Sequence, residues 1–207
     1  MYEYVSKEVS KCYSNDYITK GVTMGNIYYT NLLRKVIEAS ESDNWESAVE
    51  EWVIFDCEED NTCSSFCLCG KENLRYLFTI KNTFNSNELF PIGSSCIKKF
   101  GRKDLDEITS VYEDMFRLLH AEENGRFISL NSELFSRKLL RYLFEEGAFD
   151  NEYNGYDGEN DYYFMLDMFN KRNKENITER QHRKIRAIIV SSIRPYLIEK
   201  LQYKTNI

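Results

Sequence analysis

Apolar side chains recur at helical spacing in the first part of the chain. Between Asn26 and Ala39 the repeating positions are Ile27, Leu32, Leu33, Val36 and Ile37, which is the pattern of an amphipathic helix. Asp43 and Glu46 have the spacing of a capping box. They predict the start of a second, short helix.

The apolar pattern then changes to that of strands. Trp52 to Cys57 is a compact run of aromatic and β-branched residues, and Leu74 to Lys81 alternates between apolar and polar positions, as half-buried strands do. Asn82 to Asn87 is rich in turn-forming residues. Glu88 to Ile92 is therefore predicted to return as the partner strand of a hairpin.

Helical spacing resumes beyond Gly101 and continues to the end of the chain. The predicted helices are Asp104–His120, Ser132–Glu146, Tyr162–Phe169 and a final helix capped by Thr178 and Gln181. Asp150 to Asn160 is predicted to be a loop. Pro195 should kink or interrupt the final helix because it lacks a backbone donor. The pattern predicts an α+β protein, with N-terminal helices and a β unit in residues 1–103 and a helical bundle in residues 104–207.

Charge is segregated along the chain, within a net charge of −7. Residues 36–70 hold ten acidic residues and residues 145–167 hold eight, in both cases without Lys or Arg. Residues 71–103 carry seven bases against two acids, and residues 171–207 carry ten against three. Such segregation concerns partners and solubility rather than fold.

Four cysteines surround the predicted hairpin. Cys63, Cys67 and Cys69 precede it, and Cys96 lies in the first turn of a short helix that Ser94 is expected to cap. Thiolates suit Zn²⁺, and four of them close a tetrahedral site, which is typical of a structural metal. A cysteine-bearing turn, a hairpin and a helix with a ligand near its start are arranged as in a treble-clef zinc finger.

Two cysteines lie outside this set. Cys12 is interpreted as an ordinary small core residue, whereas Cys57 is an alternative to Cys63 as a ligand. The start of the chain lacks the order of a signal peptide, and no stretch has the length of a membrane span. We expect a cytosolic protein with reduced thiols, without a membrane association.

The sequence offers little for catalysis. His120 and His182 are its two histidines, and neither has the spacing of a metal-ligand pair. Glycine-rich phosphate-binding loops and nucleophile motifs are absent from the sequence. The chain is therefore not expected to be an enzyme.

Two surfaces are candidates for binding a partner. The acidic segment at residues 145–167 combines carboxylates with tyrosines, a mixture common in interfaces. The contact residues expected there are Asp150, Glu152, Tyr153, Tyr156, Asp157, Glu159 and Asp161. The alternative is nucleic-acid binding through the basic hairpin, where Arg75 and Lys81 accompany Tyr76, and through the final helix.

Part of the chain resembles a known pattern. Cys67-Leu68-Cys69-Gly70, the strand from Tyr76 to Asn82, and Ile92-Gly93-Ser94-Ser95-Cys96-Ile97 followed by Phe100 are similar to a zinc knuckle of uncharacterised phage and mobile-element proteins. Where similar sequences often have a histidine, this chain has Lys71, which moves the fourth ligand to Cys63.

Size, charge and the cysteines also resemble the zinc-containing anti-CRISPR proteins that inhibit type II RNA-guided nucleases. That resemblance implies a phage-encoded inhibitor that acts in the host cytoplasm and obstructs handling of target DNA by such a nuclease. It assigns no inhibitory residue in this sequence.

Overall fold

The chain is an α+β protein, as the sequence pattern predicts. The computed structural model describes residues 24–123 and 128–202. Its α-helices and β-strands are α1 (Met24–Glu38), α2 (Trp45–Ala48), β1 (Trp52–Glu59), β2 (Tyr76–Asn82), β3 (Glu88–Ile92), α3 (Ser94–Ile97), α4 (Lys103–Glu123), α5 (Arg137–Glu145), α6 (Glu159–Asn170), α7 (Glu179–Ile188) and α8 (Arg194–Leu197). Short 3₁₀ turns follow α2 and α3 at Val49–Glu51 and Lys98–Phe100.

The junction between α1 and α2 corrects one predicted helix cap. The cap of α2 is Asn44, whose side chain accepts a hydrogen bond from the Ser47 backbone N–H at 3.0 Å. Because the helix begins at Trp45, the preceding residue takes the cap position, and the predicted Asp43 lies one residue too early.

The three strands form one antiparallel sheet in the order β1-β2-β3. Ile54 pairs with Ile80, and Ile80 pairs with Leu89 across the second ladder. A bulge at Phe55 interrupts the first ladder between Ile54 and Asp56. The predicted hairpin is confirmed, and β1 continues two residues beyond its predicted end at Cys57.

Helix α4 covers the inner face of this sheet. Tyr112 meets Phe78 edge to face with ring centroids 6.2 Å apart, and Phe116 stacks on Tyr76 at 5.6 Å. Buried side chains of the sheet and of the later helices belong to a single apolar cluster. The β unit and the helices therefore share a core across the predicted boundary at residue 103.

Two of the C-terminal helices begin three or more residues away from their predicted starts. Helix α5 begins at Arg137 rather than Ser132, because Ser136 caps it by accepting from the Leu139 N–H at 3.1 Å. Helix α6 begins at Glu159, three residues before its predicted start. The predicted pairing of Thr178 with Gln181 is confirmed as a reciprocal capping box.

The final helix runs past Pro195 without a break. Its backbone widens into a π-helical segment, Ile189–Ile193, directly before α8, and a second π segment follows at Ile198–Gln202. A proline cannot donate the bond that an α-helix requires, and a π turn is a common way to absorb such a defect. In the described ranges, no helix combines the length and the apolar character needed to cross a bilayer.

Candidate metal centre

The turn that carries Cys67 and Cys69 is fixed by backbone hydrogen bonds. The Gly70 N–H donates to the Cys67 carbonyl at 2.7 Å, and the Cys67 N–H donates to the Lys71 carbonyl at 2.8 Å. Gly70 has a φ of +95°, a conformation that favours glycine. On the outer side, the Asn31 side chain of α1 donates to the Cys69 carbonyl at 3.1 Å. The turn is therefore held from within and from α1.

The hairpin delivers the third sulfur to this turn. The Leu68 N–H donates to the Pro91 carbonyl of β3 at 2.8 Å, and the Cys96 N–H donates to the Gly93 carbonyl at 2.8 Å. A Cβ on Gly93 would lie 2.8 Å from the end of the Leu74 side chain, so a side chain there would force that leucine to move. Gly93, not the predicted Ser94, is the cap residue of α3. Ser94 fails as a cap because it already lies inside the helix.

The sulfurs of Cys67, Cys69 and Cys96 form one compact group. Their Sγ atoms all lie within 4.8 Å of one another, with 3.6 Å between Cys67 and Cys96 and 3.4 Å between Cys69 and Cys96. Sulfurs at about 2.3 Å from a tetrahedral zinc ion lie about 3.8 Å apart. All three side chains are buried. The group therefore has the spacing of one face of a metal tetrahedron.

The electrostatics of the group favour negative charge on sulfur. The pKa of the Cys67 thiol is lowered to about 5, mainly because of its hydrogen bond with the Cys96 sulfur, with further help from the backbone N–H groups of Cys69 and Gly93. The same hydrogen bond raises the pKa of Cys96, and burial raises the pKa of Cys69. One charge is thus stabilised by donors, and additional charges need a cation that replaces the remaining protons.

The predicted fourth ligand, Cys63, lies outside this group. It belongs to a loop organised by Asp60, whose carboxylate accepts from the backbone N–H groups of Thr62, Ser64 and Ser65 at 2.8–2.9 Å. Within that loop Cys63 adopts a φ of +51° and donates its N–H to the Asp60 carbonyl at 3.1 Å. These local bonds decide where Cys63 sits. The structure brings together three of the four predicted ligands.

Cys57, the predicted alternative, does not replace it. Cys57 is buried on β1, and its Sγ contacts the Glu58 carbonyl at 3.7 Å, away from the three sulfurs. The interpretation of Cys12 as a core residue falls outside the described residues.

A buried carboxylate that the sequence did not reveal lies at the end of β1. Glu59 accepts from Arg75 Nε at 2.8 Å and pairs with His120 Nε2 at 2.5 Å. Its side chain is fully enclosed. The contact with Glu59 joins α4 to the sheet and engages His120 away from the cysteines. No sequence signal links Glu59 to a histidine 61 positions later.

The predicted acidic contact segment is an ordered loop. Asn151 accepts from the N–H groups of Tyr153 and Asn154, and its amide donates to the Ser192 hydroxyl of the π segment at 2.7 Å. Asp150 acts inside the loop, and Asp161 lies in the first turn of α6. Asp150 accepts from the Gly158 N–H at 2.9 Å, and Asp161 pairs with Lys184 at 3.0 Å.

The remaining predicted contact residues project outward. Glu152, Asp157 and Glu159 are exposed. Tyr153 and Tyr156 are 82% and 73% exposed, more than any other tyrosine of the described chain. The loop thus displays two tyrosine rings among carboxylates.

The basic hairpin is less open than its sequence suggests. Phe78 is buried, and Tyr76 stacks on Phe116 in the interior. Arg75 pairs with Glu59, and Lys81 pairs with Glu88 at 3.0 Å. Several of the aromatic and basic side chains expected at a nucleic-acid surface are therefore used within the fold.

No family model, curated protein or solved structure matches the chain.

Proposed function

We propose that this chain is a zinc-stabilised, non-catalytic protein that binds another protein through its acidic tyrosine loop. Zinc is the ion favoured by a group of thiolates at tetrahedral spacing. Its ligands are Cys67, Cys69 and Cys96, with a fourth donor to complete the shell. The turn, the hairpin and α3 would then form a treble-clef-like unit whose stability depends on the ion.

A structural role for the metal fits the surroundings of the sulfurs. Catalytic zinc keeps a coordination position open to substrate and commonly includes histidine or carboxylate ligands. The three grouped side chains are all thiols, and each is at most 4% exposed. A substrate would have to displace the packed turn to reach the ion.

The observation that carries the binding proposal is the exposure of Tyr153 and Tyr156 on a loop that is already ordered. Folding normally buries much of such large rings, and interfaces are enriched in tyrosine. Because Asn151 and Asp150 fix the backbone, little conformational entropy remains to be lost on binding. The surrounding carboxylates select a partner with a basic surface.

The partner we propose is a type II RNA-guided nuclease in the host cytoplasm, by resemblance to inhibitors of that class. Such nucleases hold the guide–target duplex in a positively charged channel. A rigid carboxylate-bearing loop has the charge needed to occupy part of that channel and obstruct target DNA. The protein would then be encoded by a phage.

The experiment measures binding of the zinc-loaded protein to a purified type II nuclease, together with the rate of target cleavage. We expect binding and slower cleavage. The Tyr153→Ala/Tyr156→Ala variant should bind at least about tenfold more weakly, because buried interface tyrosines often contribute more than 1 kcal/mol each.

Two double variants distinguish a specific contribution of the loop to binding from an effect of net charge alone. Glu152→Gln/Glu159→Gln should weaken binding, whereas Asp43→Asn/Glu46→Gln removes the same charge from another acidic segment and should not. If both double variants lose the same affinity, the interaction depends on net charge and not on the loop. If the wild-type chain does not bind, this partner is excluded. Salt-sensitive binding of labelled DNA by the chain itself would instead favour the nucleic-acid function.

A further inference from the structure

The outer face of the sheet carries apolar side chains that the described chain leaves exposed. Phe55 is 56% exposed, Phe90 is 47% exposed and Val53 is 38% exposed. They come from β1 and β3, the two edge strands, whereas the inner face of the same sheet packs against α4. Clustered apolar groups of this kind mark contact surfaces more often than isolated ones do.

Backbone pairing places these residues on one surface. Val53 pairs with Lys81 of β2, and Lys81 pairs in turn with Glu88 of β3. Directly paired residues project from the same side of a sheet, as do residues two apart along a strand. Leu89 and Ile92 pair with the inward-facing Ile80 and Phe78, and the irregularity between these two pairs leaves Phe90 exposed on the side of Glu88. The Lys81 ammonium lies 4.7 Å from the centre of the Phe55 ring, which places that ring on the same side.

The centre of this face has both signs of charge. Lys81 and Glu88 form an ion pair at 3.0 Å and are flanked by the apolar residues of the edge strands. A face with one cation beside one anion is self-complementary. A two-fold axis parallel to the strands, between β2 and β3, would place Lys81 of each copy opposite Glu88 of the other.

We propose that this face, formed by Val53, Phe55, Lys81, Glu88 and Phe90, binds the same face of a second copy of the chain. The contact is isologous, as in most homodimers. It buries Phe90 against β2 of the other copy around two exchanged ion pairs, with Phe55 at the rim beside the β3 edge of the other copy. A nucleic acid is a poorer occupant, because the single lysine of the face is already paired and the chain has a net charge of −7.

The first test measures the oligomeric state of the full-length, zinc-loaded chain by sedimentation velocity across a concentration series. We expect a reversible dimer that persists at high salt, because the contact is largely apolar and salt screens repulsion between the acidic chains.

Phe55→Ser/Phe90→Ser should raise the dimer dissociation constant at least about tenfold. Phe84→Ser is the matched control. Phe84 is 73% exposed but lies in the turn of the same hairpin, and its replacement should leave the constant unchanged.

Charge exchange tests the two-fold arrangement itself. Lys81→Glu alone and Glu88→Lys alone should each weaken self-association, because like charges then face each other across the axis. Mixing these two variants should restore a dimer that contains one chain of each kind, since both ion pairs are re-formed. Because surface ion pairs contribute little to the stability of a single chain, each variant should stay folded, and circular dichroism checks this.

A wild-type chain that stays monomeric at all concentrations would overturn the proposal. The same conclusion would follow if Phe84→Ser weakened the dimer as much as Phe55→Ser/Phe90→Ser does, or if the mixed charge variants failed to form a dimer. DNA binding by the wild-type chain that is lost on replacing Phe55 would also overturn it. None of these outcomes depends on the acidic loop or on its nuclease partner.

Discussion

Glu51 shows how one buried side chain holds several segments together. Its carboxylate accepts from the backbone N–H groups of Glu41 and Ser42 at 2.8 Å each, and from the Asn82 amide at 2.6 Å. Burial alone would raise the pKa of Glu51, but these hydrogen bonds outweigh burial and lower the pKa from 4.5 to about 2. The charged form therefore stabilises the folded state.

We predict that Glu51→Gln lowers the free energy of unfolding by about 2 kcal/mol at neutral pH, because the charge-assisted hydrogen bonds are weakened. Since folding depresses the pKa of Glu51, its contribution is present above pH 4.5 and is lost as the pH falls towards 2. Urea unfolding at several pH values should show a shallower acid dependence in the variant. The exposed neighbour substitution Glu46→Gln is the control, and an acid dependence identical to that of the wild type would contradict this assignment.

At the scale of single residues, the sequence predicted the chemistry of individual side chains better than it predicted which residues they contact. It singled out Cys67, Cys69 and Cys96 because closely spaced cysteines are informative in themselves. The structure leaves Cys63 outside the three-sulfur group, because the hydrogen bonds of Asp60 that organise its loop depend on backbone geometry. The contact of Glu59 with His120 is set by the packing of α4 on the sheet, which no local spacing encodes.

The candidate metal centre links elements, because its three sulfurs come from the turn before the hairpin and from α3 after it. We predict that Cys96→Ser abolishes stoichiometric zinc binding and lowers the melting temperature, because the turn that carries Cys67 and Cys69 then loses its link through the metal to α3. Native mass spectrometry should find one zinc ion in the wild-type chain. The thiolate-to-cobalt absorption of the Co²⁺-loaded protein reports how many sulfurs are bound.

Cys63→Ser is the informative companion variant. If Cys63 is the fourth ligand, as the sequence predicts, its loss reduces the cobalt absorption and weakens affinity without abolishing binding. If another donor completes the shell, the spectrum is unchanged. Full zinc affinity in the Cys96→Ser chain would disprove the metal centre itself.

Periodicity predicted which elements exist, and local chemistry decided where they end. The hairpin and α4 follow directly from alternating and helical patterns. Helix α5 begins late because Ser136 caps it by accepting from the Leu139 N–H. Pro195 was expected to kink or interrupt the last helix, and the backbone accommodates it in the π segment before it. Sequence rules recognise the defect, but not which of several backbone solutions the packing selects.

At the scale of the molecule, opposite charges that are separated along the sequence meet in space. Lys184 of the basic C-terminal segment pairs with Asp161 of the acidic loop, and Lys200 pairs with Glu146 at 3.0 Å. The last helix therefore supports the loop that displays Tyr153 and Tyr156. The net charge of each segment predicted neither pairing, because charge counts do not specify which side chains approach.

The shared core makes the cooperativity of unfolding the decisive test of the division at residue 103. Both tryptophans belong to the first part, where Trp45 meets Phe100 at 5.3 Å and Trp52 is buried. Tryptophan fluorescence thus reports on the N-terminal part, whereas far-ultraviolet circular dichroism reports mainly on the helices beyond it. Because α4 packs on the sheet through Tyr112 and Phe116, we predict coincident urea transitions from the two probes in the zinc-loaded chain. Removal of zinc by a chelator should shift both midpoints together. Separate midpoints would instead establish 1–103 and 104–207 as independent folding units, with the metal stabilising the first alone.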